Sequence, residues 1–193
     1  MPALPFTPWR CLLSEMGSQS DGVLVRRILD GQVELYQVLV ERYRTEFGRY
    51  ATAMLGGDVD DAADALQEGF IRAYRSLAAC RDPERFKAWL FRIVSNQCHN
   101  TRRARRGHVS LDRIEEPEDT AATKRVDNNE IGQAIEDALN ELTVEQREAF
   151  VLKHVEGYSY AEMASLLEVG EDALKMRVHR ARDELRHNLE GLR

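Results

Sequence analysis

Apolar residues recur every three or four positions through most of this chain, the period of helices that bury one face. Ser20-Asp21 opens a first predicted helix carrying Val23, Leu24, Ile28 and Leu29, with Gly31 as its stop. A longer one is predicted from about Val33 to Leu55, where Leu35, Leu39, Tyr43, Phe47, Tyr50 and Met54 keep the period until Gly56-Gly57 ends it. Asp58 caps a third, with Ala63, Leu66, Phe70, Tyr74 and Leu77 as its expected inner stripe. After a loop from Ala78 to Pro83, a fourth begins near Glu84 and turns Phe86, Trp89, Leu90, Ile93 and Val94 inward before dissolving into an arginine cluster. These four make a first helical domain, residues 19–106.

The periodicity fails over residues 107–129, where Pro117 and the acids Asp112, Glu115, Glu116, Glu118 and Asp119 predict a flexible linker. A second domain, residues 130–193, starts with the stripe Ile131, Ile135, Ala138, Leu139 and Leu142, followed by two capping boxes, Thr143 with Gln146 and Ser159 with Glu162. Ser159 opens a short helix with Ala161, Ala164 and Leu167 inside, Gly170 falls in the turn, and a longer helix from about Glu171 to Leu189 buries Leu174, Val178, Ala181 and Leu185. Small residues and a turn glycine let two helices cross steeply, as a helix-turn-helix requires. Its outer face carries Lys175, Met176, Arg177, His179 and Arg180, a set suited to a major groove. The fold class is all-α: two small helical domains and a linker.

Composition changes the picture in three ways. With 43% hydrophobic and 31% charged residues, 5 prolines and 12 glycines, the chain is that of a helix-rich soluble protein, and no run reaches the length of a membrane span. A cytoplasmic location is expected. The three cysteines, Cys11, Cys80 and Cys98, are widely spaced and lack partner histidines, so neither a metal nor any other cofactor is expected. The net charge of −6 argues against a protein that coats nucleic acid unaided, yet Arg102, Arg103, Arg105 and Arg106, and the cations of the last helix, form two local basic patches.

The order of these features is more specific than any one of them. The run Asp61 to Phe70 (DAADALQEGF), then Phe86 to Asn96 (FKAWLFRIVSN), an arginine cluster, a linker and a terminal helix-turn-helix resembles the extracytoplasmic-function (ECF) branch of the sigma-70 family, from about Ser20 to Leu192. The resemblance implies that residues 19–106 are region 2 and residues 130–193 region 4 of an RNA polymerase sigma factor. It implies that Asp61, Asp64, Gln67 and Glu68 dock on the clamp helices of the polymerase's largest subunit, with region 4 meeting the flap of the second-largest subunit. The loop Cys80-Arg-Asp-Pro83 and the following helix match the reader of the minus-10 element. There Asn96 offers a donor and an acceptor to a base edge, and Arg81 reaches phosphate or base. Arg102, Arg103, Arg105 and Arg106 follow the DNA backbone, and Phe86 and Trp89 support the core.

Lys175, Met176, Arg177, His179 and Arg180 match the minus-35 reading positions. The family also implies an anti-sigma factor as regulatory partner. The chain departs from the family at Cys80, where an aromatic is frequent, and at Gly170-Glu-Asp-Ala173, where Pro-x-Gly-Thr is usual; Glu171 and Asp172 either favour the helix's first turn or accept from a cytosine amino group. Residues 1–18 match nothing in the family and read as a regulatory extension or a mis-assigned start, with Met16 the true one.

Two rival readings bear on the same residues. Asp60-Asp61-Ala-Ala-Asp64 mimics the magnesium motif of helical prenyl-diphosphate synthases, but no second acidic motif follows, and no other catalytic signature is present, so no enzyme is expected. A conventional helix-turn-helix regulator, binding its operator without polymerase, shares the second domain and differs in the first.

Overall fold

The computed structural model describes residues 18–112, 134–135 and 137–190, all helix and turn without a strand. The expectations for residues 1–17, for most of the linker and for Ile131 lie outside the described residues.

Helix α1 (Asp21–Leu29) is capped by Ser20, whose hydroxyl accepts from the Val23 amide. A 3₁₀ turn (Val33–Leu35) leads into α2 (Tyr36–Met54), and α3 (Val59–Arg75) starts from Asp58, whose carboxylate accepts from the Asp61 amide at 2.9 Å. After a 3₁₀ turn over Leu77–Ala79, another with Pro83 at its start leads into α4 (Phe86–Asp112). Helix α4 therefore carries the arginine cluster through to Asp112 instead of dissolving into it: from Phe86 onward its sequence contains no helix breaker before Gly107.

The core of this first unit is aromatic. Tyr43, Phe47 and Tyr50 of α2 face Phe86 and Phe91 of α4, with ring centroids 4.7–6.1 Å apart. Helix α3 is turned relative to its predicted stripe. Its buried residues are Ala62, Ala65, Gly69, Phe70 and Ala73, whereas Ala63 and Tyr74 are exposed and Leu66 half-buried. Small residues win the inner face because α3 and α4 pack closely: a Cβ on Gly69 would stand 3.0 Å from the Val94 side chain. The displaced apolar stripe instead lines a groove of about 1080 Å³ between α2 and α3. Val23 and Leu29 of α1 are also exposed, and Val25 takes the inner position beside Leu24 and Ile28.

In the second unit a helical stretch, residues 137–141, precedes α5 (Val144–Phe150), which passes through a π turn (Val151–Val155). Helix α6 (Tyr160–Leu167) and α7 (Glu171–Leu189) follow. Both capping boxes form, each with the reciprocal pair of bonds. Helix α7 buries Leu174, Val178, Ala181 and Leu185 as its spacing predicts. In α6 the buried residues are Met163 and Leu166, while Ala161 is exposed, because the helix also packs against α4. Ile135 is exposed, so the first stripe of this unit turns only Ala138, Leu142 and part of Leu139 inward.

One apolar core runs through both units, joining Phe91 and Val94 to Ala149, Leu152, Met163 and Leu174. No helix among the described residues is long and apolar enough to cross a membrane.

Candidate nucleic-acid and polymerase interfaces

Helix α3 places Asp64, Gln67 and Glu68 one turn apart on its outward side. With Gln97 and Thr101 of α4 they line a shallow hollow of about 330 Å³. Glu68 accepts from Arg72 of the same helix at 2.9 Å, an i,i+4 pair that orients its carboxylate. Asp61 is placed differently: its carboxylate pairs with Arg105 of α4, which also pairs with Asp58. The cap bond from the Asp61 amide, together with Arg105, holds the Asp58 carboxyl below its ordinary value. One residue read as facing polymerase and one read as facing DNA are thus bonded to each other.

The loop before α4 folds inward at Cys80, which is 5% exposed and has its thiol pushed up by burial. Arg81 beside it is exposed. Asn96 stands exposed on the outer face of α4, between buried Ser95 and half-buried Gln97. Phe86 is fully buried and Trp89 half-buried, rings 5.9 Å apart, as expected of core supports.

The arginine cluster is divided. Arg103 is exposed. Arg102 is only 9% exposed and donates to the Asn140 backbone carbonyl at 3.3 Å and its side-chain oxygen at 3.1 Å, across to the second unit. Arg106 lies on α4, but its side chain is outside the described residues.

On α7, Lys175, Met176, His179 and Arg180 are exposed and Arg177 is half-buried. Their acidic partners belong to the same helix: Asp172 takes Lys175 at 3.0 Å and Asp183 takes His179 at 2.8 Å. Met176 keeps 52% of its surface in solvent. Among the described residues no cluster of three or more His, Cys, Asp or Glu is placed to hold a metal ion.

Sequence reasoning misses the seam between the units. Glu148 of α5 is buried against α2 and α4, where its carboxylate accepts from Tyr50 Oη at 2.9 Å and Ser95 Oγ at 2.5 Å. Burial, and then the Glu148 charge, push the Tyr50 hydroxyl far above its ordinary value, so it stays a donor. Arg147, 1% exposed, donates to Asn140 Oδ1 at 3.0 Å and to the Ala53 carbonyl at 3.2 Å. Glu168 bridges Arg85 at 3.1 Å and Arg92 at 2.6 Å, and Glu156 accepts from Arg49 at 3.0 Å. Apart from Arg147 and Asn140, these partners lie 53 to 107 residues apart, and no local motif links them.

The chain is similar to known proteins. Residues 39–108 match the family model for Sigma-70 region 2, and residues 132–185 that for Sigma-70, region 4. The chain is 29% identical over 186 residues to the ECF RNA polymerase sigma-E factor of Escherichia coli, covering 90% of this chain and 96% of that protein, and 27% identical to the one from Haemophilus influenzae. Among solved structures, it resembles CnrH in complex with the cytosolic domain of CnrY, with a TM-score of 0.61 at 27% identity over 90% of this chain and 99% of that one. It also resembles the sigma factor RpoE in complex with the anti-sigma factor NepR from Bartonella quintana, with a TM-score of 0.52 at 26% identity over 79% of this chain and 96% of that one. The two family matches span more than half of the chain, in the order region 2 then region 4, and the protein therefore belongs to the ECF branch of the sigma-70 family and acts as a sigma factor in transcription initiation.

Proposed function

We propose that residues 19–106 bind the core polymerase and the minus-10 element, that residues 130–193 read the minus-35 element, and that residues 107–129 connect them. The observation that supports this reading is the exposed set on packed helices: Asp64 and Gln67 on α3 and Asn96 on α4, with a separate exposed cationic face on α7. Asp64, Gln67 and Glu68 meet basic side chains of the polymerase clamp helices, with Asp61 as the flank tied to Arg105. The flap of the second-largest subunit holds region 4. Asn96 takes the edge of an unstacked minus-10 base, while Arg81 and Arg103 contact the adjoining backbone. Arg102, Arg105 and Arg106 complete the backbone path only if Arg102 and Arg105 leave their present partners. Lys175, Met176, Arg177, His179 and Arg180 enter the major groove at the minus-35 element.

This mechanism is one of binding and positioning, without a covalent step, so the protein is not an enzyme and needs no cofactor. It acts in the cytoplasm, where polymerase and promoter are. An anti-sigma factor regulates it, a reading supported by the similar RpoE chain, which was solved in complex with the anti-sigma factor NepR.

Run-off transcription with purified core polymerase and the promoter upstream of the protein's own gene tests the assignment. Transcripts should depend on the protein and fall at least tenfold in Asn96→Ala and in Arg180→Ala. A protein that shifts the same DNA alone but does not bind core polymerase would replace this reading with that of a conventional regulator.

A further inference from the structure

Between α2 and α3 lies the groove of about 1080 Å³ left by the displaced stripe of α3. Val33, Tyr36 and Val40 form one wall, and Leu66, Ile71 and Tyr74 the other. Val33, Ile71 and Tyr74 keep 51%, 36% and 44% of their surface in solvent. Single exposed apolar residues are ordinary, but a contiguous apolar hollow marks a binding surface. The rings of Tyr36 and Tyr74 meet in it, centroids 5.0 Å apart, and Tyr36 Oη donates to the Phe70 carbonyl at 2.8 Å, which holds that ring in place.

The chain itself carries a segment whose pattern fits such a groove. Pro2, Pro5 and Pro8 recur every three residues, the period of a polyproline II helix, and the same spacing relates Ala3, Phe6 and Trp9. No charged side chain precedes Arg10. Proline-rich segments dock in grooves lined with aromatic rings, because the conformation they need is already favoured and little entropy is lost on binding. The lengths agree as well. The α2 wall of the groove, from Val33 to Arg44, is about 16 Å long, which five residues of polyproline II also span.

The path of the chain into α1 puts this segment within reach. Arg42 donates to the Gln19 carbonyl at 2.8 Å, and Arg42 and Tyr43 both donate to Asp21, so the chain enters α1 beside α2. Glu41, the neighbour of Arg42, lines the groove together with Glu34. The stretch from Trp9 to Gln19 extends to roughly 33 Å, whereas a helix with its side chains is only about 10–12 Å across.

We propose that residues 5–9 (PFTPW) dock in the α2–α3 groove of their own chain, and that the docked segment competes with core polymerase. The docking takes residues 1–17 as a regulatory extension; the competition rests on the polymerase face assigned above. Arg10, next after Trp9, has exposed Glu34 as an acidic partner on the α2 wall, Glu41 being paired with Arg44 at 2.8 Å. Gln67 and Ile71 line both the groove and the hollow that holds Asp64 and Glu68, so a segment seated on α3 covers the edge of that face. Tethering holds the segment at an effective concentration of roughly 1 mM. With a groove affinity of about 0.2 mM it is docked about five-sixths of the time, and the apparent affinity for polymerase falls about sixfold.

Trp9 and Trp89 are the two tryptophans, so the difference in emission between the full chain and its Trp9→Phe variant isolates Trp9. That emission should be blue-shifted, and shielded from iodide quenching, relative to a free peptide of residues 1–17. Val33→Glu and Tyr74→Glu alter exposed side chains on opposite walls and so spare the core. Each, measured against its own Trp9→Phe partner, should return Trp9 to the emission of the peptide with far-ultraviolet circular dichroism unchanged. In titrations with core polymerase, Phe6→Asp and Val33→Glu should bind about sixfold more tightly than wild type. Peptide-like emission from Trp9 in wild type, or an emission that neither groove variant changes, would overturn the docking. A blue shift that fades on dilution would give the groove to the segment of a second copy and overturn docking within one chain. Docked emission with equal polymerase affinity in every form would overturn the competition. Failure of every form to bind core polymerase would overturn the polymerase assignment and the competition with it, while the emission of Trp9 still decides the docking.

Discussion

The seam between the two units and the outer face of α7 are both rich in arginine, and they use it in opposite ways. At the seam, Arg147 and Arg102 are buried or nearly so, and Arg49, Arg85 and Arg92 reach acids of the other unit. On α7, Lys175, His179 and Arg180 are exposed, and Lys175 and His179 pair with acids of their own helix. Burial and distant partners make the first set structural within this conformation. Exposure and local pairing leave the second available to an anionic partner, because surface pairs are weak enough to exchange. A basic run in a sequence therefore says little about whether its charge is available; the partner across the fold decides.

Removing one arginine from each set should separate the two roles, and the buried one should give the larger effect. Arg147→Ala deletes charge-assisted bonds to Asn140 and to the Ala53 carbonyl and leaves a void, at a cost of about 3 kcal/mol. Chemical denaturation should show a lower midpoint with little change in slope. Arg180→Ala should leave that midpoint in place and weaken binding of the polymerase complex to promoter by about 2 kcal/mol, near thirtyfold, read by fluorescence anisotropy. Loss of stability in Arg180→Ala, or normal stability in Arg147→Ala, would collapse the distinction between the two faces.

A finer contrast lies within the α4 cluster. Arg103→Ala should reduce the dependence of log affinity on log salt by about 0.7 for a single-stranded minus-10 oligonucleotide, the share of one phosphate contact. Arg105→Ala should leave the salt slope unchanged, since Asp58 and Asp61 already hold that guanidinium. Equal slopes for the two variants would place both arginines on the nucleic acid.

The sequence made some layers of this molecule plain and hid others. The inner faces of α2 and α7 are readable because large apolar residues keep strict helical spacing there, from Leu35 to Met54 and from Leu174 to Leu185. The inner face of α3 is not, because close packing selects alanine and glycine and leaves Leu66 and Tyr74 to a surface groove. Local spacing weighs size and polarity but not the distance to the neighbouring helix. Motif order singled out Asn96, Lys175, His179 and Arg180, and all four are exposed. Glu148, Tyr50 and Ser95 were not legible, since an isolated glutamate, tyrosine or serine on an amphipathic helix carries no sign that another unit will bury it.

The smallest expected effect comes from the group at the centre of that hidden layer. His99 lies on α4 one turn after Ser95 and shares its surroundings with Glu148 and Glu145 of α5 and with Arg102 and Arg103 of its own helix. Burial lowers its pKa below the ordinary value of 6.5, with the arginines acting in the same direction and the glutamates against it. The folded protein therefore holds His99 neutral where the unfolded chain takes up a proton, so stability falls as pH drops below about 6.5 and is flat above it. His99→Gln, which cannot charge, should flatten this part of the stability profile in denaturation between pH 7.5 and 5.5. An undiminished acid sensitivity in His99→Gln would move the pH response away from the seam and onto the carboxylates that cap the helices.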